Sequence, residues 1–178
     1  MSITVFKLLR IAAIAVPLSG CGVVQKVSDS TASATRSVFY KQVKTLYLDL
    51  DGRVALNTHS TDMNALSVPT VVRVYQLREG RSMTRATYNE LLSDADHVLG
   101  ADLLTQHSVV VKPGEGVQLS VPLVNDAVAV AVVALFREPD LESDSWRLML
   151  GREDLDPDKA RVVELGDNRL TLRPLARG

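Results

Sequence analysis

The chain has 178 residues, 46% hydrophobic, 4% aromatic and 23% charged. That suffices for one ordinary domain with a real core plus an appendage, and it excludes a multidomain enzyme, wholesale disorder and a polytopic membrane protein. Twenty basic against 21 acidic side chains leave a net charge of -1 and no basic stripe, so nucleic acid is not an expected partner, and a single cysteine allows neither an internal disulfide nor a thiolate zinc site.

The position of that cysteine is informative. Lys7 and Arg10 precede the uncharged stretch Ile11 to Leu18, and Ser19-Gly20 lead directly to Cys21. This is the three-part layout of a secretory signal, and the apolar stretch is short of the about 20 residues that span a bilayer. Leu18-Ser19-Gly20-Cys21 resembles the bacterial lipobox, in which the cysteine thiol is acylated and becomes the new N-terminus; the plainer alternative is a cysteine ending an ordinary signal. The expected organisation is a signal peptide over 1–20, a lipidated tether over 21–41 and a folded domain over 42–178. Loss of Lys7 and Arg10 with the signal moves the net charge from -1 to -3. By resemblance to lipoprotein sorting, Gly22 after Cys21 implies the outer membrane, facing the periplasm. The tether is rich in Ser, Thr and Ala, and about 20 flexible residues reach about 25 Å.

Beyond Lys41 the pattern has a period of two. Leu46, Leu48 and Leu50 alternate with Thr45, Tyr47 and Asp49, as in a half-buried strand. Val68 to Leu77 repeats this, with Val72 and Val74 inward and Arg73 and Tyr75 outward. Further strands are expected over Ser108–Lys112, Val117–Leu123, Ala127–Phe136, Trp146–Leu150, Arg161–Leu165 and Arg169–Arg173. The continuous apolar run to Phe136 reads as a strand buried on both faces. The turns Lys112-Pro-Gly-Glu-Gly116 and Gly166-Asp-Asn168 should each join antiparallel neighbours. One helix interrupts the series: Thr84 is a candidate cap, Leu91, Ala95, Val98 and Leu99 share a face, and Gly100 is placed to end it. It should cover an open flank or end. Eight strands at this spacing make an all-β sandwich with a helical insertion.

No chemistry of catalysis is evident. His59, His97 and His107 are scattered, and neither Asp94-Ala-Asp96 nor Glu153 to Asp158 follows the spacing of an EF-hand. No G-x-S-x-G elbow or phosphate loop occurs. Neither a cofactor, a metal nor a small-molecule substrate is expected, and the protein reads as a non-enzyme. Trp146, the only tryptophan, reads first as a core plug and second as a binding anchor.

The segment that asks for a function is Gly52 to Leu66, about 15 residues where a hairpin uses 2–5. Leu56, Met63 and Leu66 supply apolar contacts, and Asn57, Thr58, His59 and Asp62 supply hydrogen-bonding groups. A partner-binding loop is one reading; a connection crossing between two sheets, with apolar groups capping the core, is the other.

The blocks Leu18-Ser-Gly-Cys21, Val38 to Val43, Ala55-Leu-Asn57, Val68 to Leu77, Leu99 to Leu104, Val130 to Arg137 with Trp146-Arg147, and Gly166 to Leu170 cover almost the whole chain. In this order and spacing the chain resembles the TssJ family, outer-membrane lipoproteins of bacterial type VI secretion systems. The resemblance implies a transthyretin-like β-sandwich. It also implies binding of the periplasmic C-terminal region of the inner-membrane protein TssM, in one complex with TssL, through the loop mapped here to residues 52–66. The competing reading is a periplasmic small-ligand carrier, for which eight aromatic residues are thin material.

Overall fold

The computed structural model describes residues 43–58 and 66–175. The signal segment, Cys21, the tether to Lys41 and residues 59–65 of the long loop lie outside the described residues. Eight strands form the expected sandwich: β1 (Thr45–Gly52), β2 (Thr70–Leu77), β3 (Leu103–Val111), β4 (Gly116–Pro122), β5 (Ala129–Ala134), β6 (Arg147–Gly151), β7 (Arg161–Gly166) and β8 (Arg169–Leu172). The first sheet has the order β4-β1-β7-β8 and the second β3-β2-β5-β6. All neighbours are antiparallel except β1 and β7, which run parallel with Leu48 opposite Arg161. Leu46, Leu48 and Leu50 of the first sheet and Val72, Val74, Val130 and Val132 of the second are buried in one core, as their alternation requires.

The turn at Lys112–Gly116 departs from expectation. It does not join antiparallel neighbours, because β3 and β4 belong to different sheets. Gly114 takes φ 75°, so the turn chemistry was legible, but turn residues reverse a chain without choosing the sheet it enters next. What chooses is β1: Gly52 N donates to Glu115 O at 3.0 Å and Gly114 N to Gly52 O at 2.9 Å. Gly52 is required there, since a Cβ would lie 2.6 Å from Lys112 O. The turn at 166–168 does join antiparallel strands, with Asp167 and Asn168 both at positive φ. β3 also begins at Leu103 rather than Ser108, across a bulge opposite Gln76 and Leu77. Leu103 and Leu104 are adjacent and both half-buried, which hides the alternation.

The helical segment is two helices, α1 (Arg81–Arg85) and α2 (Tyr88–Leu99). The cap of the longer one is Thr87, not Thr84. Thr87 and Glu90 form a capping box, with Thr87 N donating to the Glu90 carboxylate at 2.8 Å, whereas the Thr84 hydroxyl donates to Gly80 O within α1. The T-x-x-E spacing was the stronger signal. Asp94 interrupts α2 (φ -152°, ψ 68°) and its carboxylate accepts from His97 N at 3.2 Å, capping the helix again. Gly100 ends it as expected, at φ 49°.

These helices lie over the outer face of the second sheet rather than at an end. Arg73 on that face donates to Leu91 O at 2.8 Å, and Tyr75, Leu77, Ala131 and Val133 are buried beneath Met83, Tyr88, Leu91, Ala95 and Leu99. β5 is therefore covered on both sides, as its apolar run implies. Trp146 is the plug of this second core: 1% exposed, edge-on to Tyr88 at 5.2 Å, with the Arg147 guanidinium 4.7 Å above its ring.

Two charged groups hold α1 at opposite ends. The Asp102 carboxylate accepts from Glu79 N at 2.7 Å, Gly80 N at 3.1 Å and Ser82 N at 3.2 Å, and from the Ser82 hydroxyl. Arg147 donates to Met83 O at 2.7 Å, Ala86 O at 2.8 Å and Thr84 O at 3.3 Å. An anion at the start of a helix and a cation at its end match the helix dipole. Partial burial raises the Asp102 pKa, but the Ser82 hydroxyl and the three amides outweigh it and hold the carboxyl below its ordinary value.

A carboxylate depressed in this way stabilises the fold above its unfolded value of about 3.9, and the stabilisation is lost as pH falls through the folded value. Asp102→Asn, which turns an amide nitrogen toward Ser82 donors, should cost about 1–2 kcal/mol at pH 7. In urea melts the gap to wild type should close as the pH is lowered below about 4; a pH-independent gap would contradict the charged acceptor.

Candidate partner-binding surface

The long connection of residues 53–69 crosses from the first sheet to the second, and both its stems are tied down. On the outgoing stem, Arg53 N donates to Leu165 O at 2.8 Å, while Ala55 O accepts from Asp167 N at 2.9 Å. Thr58 O accepts from the Asn168 amide at 2.9 Å. The returning stem closes on the outgoing one through Val68 N to Leu56 O at 3.2 Å. Asn57, at φ 51°, donates from Nδ2 to Pro69 O at 3.3 Å and accepts at Oδ1 from Arg137 N at 2.7 Å. The stems are thus bonded to the β7–β8 turn and to the β5–β6 connection, and Gly114 of the β3–β4 turn donates to Gly52 and Arg53 carbonyls.

Beneath the outgoing stem runs a chain of ion pairs on the solvent face of the first sheet. Arg53 meets Glu164 at 3.2 Å, Glu164 meets Arg173, and Arg173 meets Asp51 at 2.9 Å. The Glu164 side chain is only 17% exposed, so this network is less screened than an isolated surface pair.

The expected contact residues separate into groups. Leu56 is fully buried and Asn57 is 3% exposed; both point into the protein, so the reading of this segment as a core-capping crossing holds for them. Thr58 is half-buried and Leu66 is 62% exposed, at the two ends of the undescribed stretch. His59, Asp62 and Met63 fall within it. Sequence reasoning missed the braces: Asn168 was legible only as a turn residue, and the Arg137 main-chain N–H leaves no trace in a sequence. The exposed Val54, at 79%, was also passed over.

Elsewhere the surface offers two grooves beside exposed Leu141, of about 440 and 460 Å³, sharing Tyr88 and Asn89 in their walls. They lie against the helical layer. Between the sheets, where a carrier would hold its ligand, the space is filled by the fully buried leucines of β1 and valines of β2. Among the described residues no three His, Cys, Asp or Glu side chains are grouped to hold a metal, and no helix is long and apolar enough to cross a membrane.

A family model described as "Type VI secretion lipoprotein, VasD, EvfM, TssJ" matches residues 44–168. The chain belongs to this type VI secretion lipoprotein family. Solved structures agree. A chain of the structure described as "Type VI membrane complex" is 39% identical, with a TM-score of 0.70, covering 75% of this chain and 100% of that one. A chain of the structure described as the T6SS protein TssM C-terminal domain from EAEC is 38% identical, with a TM-score of 0.68 and the same coverage. The T6SS lipoprotein TssJ1 from Pseudomonas aeruginosa, 24% identical over 74% of this chain and 97% of its own, with a TM-score of 0.58, shares the fold. Among curated protein sequences none matches. The protein is thus a membrane-associated lipoprotein of a type VI secretion system with the TssJ-like sandwich, and its family is a structural one.

If the stem is part of the core, Leu56→Ala should cost about 2–5 kcal/mol, read as a lower urea midpoint. Leu66→Ala should stay within about 0.5 kcal/mol. Equal effects would show that the stem does not cap the sandwich.

Proposed function

We propose that this protein fixes a type VI secretion membrane complex to the outer membrane. Acylated Cys21 is the anchor, the sandwich faces the periplasm, and the β1–β2 loop binds the periplasmic C-terminal region of TssM, in one complex with TssL. The contact groups are drawn from Thr58, His59, Asp62, Met63 and Leu66, while Leu56 and Asn57 support them from inside. The observation that carries this reading is the bracing of both stems: stems already bonded to each other and to neighbouring connections lose little further conformational entropy when a partner binds the loop between them. Braced stems that present one loop are what an adaptor between two membranes requires.

Two devices, anchor and loop, should separate experimentally. Cys21→Ser should leave thermal unfolding of the domain unchanged and release the protein from the outer-membrane fraction; a variant that still sediments with that membrane through purification would refute acylation at Cys21. Removing residues 59–65 with the stems kept should abolish capture of the TssM periplasmic domain in a pull-down, at nearly unchanged melting temperature. Full capture would move the binding surface elsewhere on the sandwich.

A further inference from the structure

The Asn57 side chain bonds both the far stem of its own loop and a separate connection. Its backbone is left-handed at φ 51°, a region that asparagine tolerates better than most residues. Its amide faces two partners of opposite kind. Pro69 O can only accept and Arg137 N can only donate, so exchanging the amide O and N would oppose like groups, and the orientation is fixed. Aspartate would set a carboxylate against Pro69 O; glycine would keep the backbone and lose both bonds.

Buried at 3% exposure, Asn57 has no surface to offer a partner. It closes the loop at its base, between fully buried Leu56 and half-buried Thr58, where the chain leaves the core. We infer that Asn57 is the positioning residue of the β1–β2 loop: its amide clips the outgoing stem to the returning stem and to the β5–β6 connection, holding the two stems in the binding-competent arrangement without touching the partner. This rests on the proposed role of the loop. It carries a kinetic signature. If only a fraction of molecules holds the competent loop, association slows in proportion to that fraction while dissociation of the formed complex is unchanged. A contact residue does the reverse.

The test uses the full acylated protein in detergent, with the TssM periplasmic domain as analyte. Asn57→Gly should lower the association rate constant about ten-fold, as expected for losing two buried hydrogen bonds, with the dissociation rate constant within about two-fold of wild type. Asn57→Asp, which keeps the acceptor for Arg137 N, should fall between it and wild type and covers the case of a glycine variant that does not fold. Amides of residues 53–58 and 66–68 should exchange faster in both. A dissociation rate that rises more than association falls would make Asn57 a contact. Unchanged rate constants would make it a purely structural residue, even with a lowered melting temperature, and either result overturns the inference. Deletion of residues 59–65 is the control: if that variant binds like wild type, the loop reading itself fails, whereas if it does not bind and the Asn57 variants bind normally, only the positioning role fails.

Discussion

The second sheet cannot leave its outer face in water, and much of the remaining architecture follows from that. Tyr75, Leu77, Ala131 and Val133 line this face and are fully buried, so a helical layer has to cover them. Yet α1 has five residues and no chance of persisting by itself. It is kept by Asp102 at its start and Arg147 at its end, which satisfy backbone groups that a helix of this length leaves open at both termini. Arg147 does a second thing from the same position, since its guanidinium lies over Trp146. One side chain thus joins the helix end, the aromatic plug and β6, and a lysine could not reach three carbonyls and stack at once.

The first sheet is the opposite case. Its outer face carries Thr45, Tyr47, Asp49 and Asp51 from β1 and Glu164 from β7, partly exposed and laced by the Arg53–Glu164–Arg173–Asp51 network. The sandwich therefore has one face thickened by helices and one left thin. The β1–β2 connection runs between the two sheets, and its stems take support from both: Leu165 and Asp167 from the first sheet's β7–β8 hairpin, Arg137 from the second sheet's β5–β6 connection.

How much of this was legible depended on whether the information was local. Period-two alternation located β1 and β2, because a strand with one buried face writes its burial into every second residue. The Ala127–Phe136 run announced a strand covered on both sides because it has no polar face at all. The Lys112–Gly116 turn showed where the chain reverses, but its destination sheet is set by Gly52 admitting backbone at close range, a contact 60 or more residues away in sequence. Leu56 and Asn57 illustrate the limit for the site. In a loop of polar and apolar residues, composition cannot tell an apolar group displayed to a partner from one tucked into the core, or an amide that binds from one that braces. Leu56 and Leu66 look alike in the sequence and are fully buried and 62% exposed in the fold.

Placement of the anchor and the loop along β1 has a mechanical consequence. The strand starts at Thr45, just after the tether in sequence, and ends at Gly52, where the loop begins, so the chain enters and leaves β1 at points about 25 Å apart. With Cys21 held in a membrane and the loop held by a partner, tension along the chain passes through β1 between Val43 and Arg53, and the loop stems share it with the β7–β8 hairpin and the β5–β6 connection. That strand is interior to its sheet, paired with β4 from Thr45 to Asp51 and with β7 from Leu48 to Gly52. Pulling along it loads those ladder bonds together in shear rather than opening them one by one, and buried Leu46, Leu48 and Leu50 would have to slide through the core at the same time. One central strand with bonds on both sides resists such a pull better than an edge strand with bonds on one.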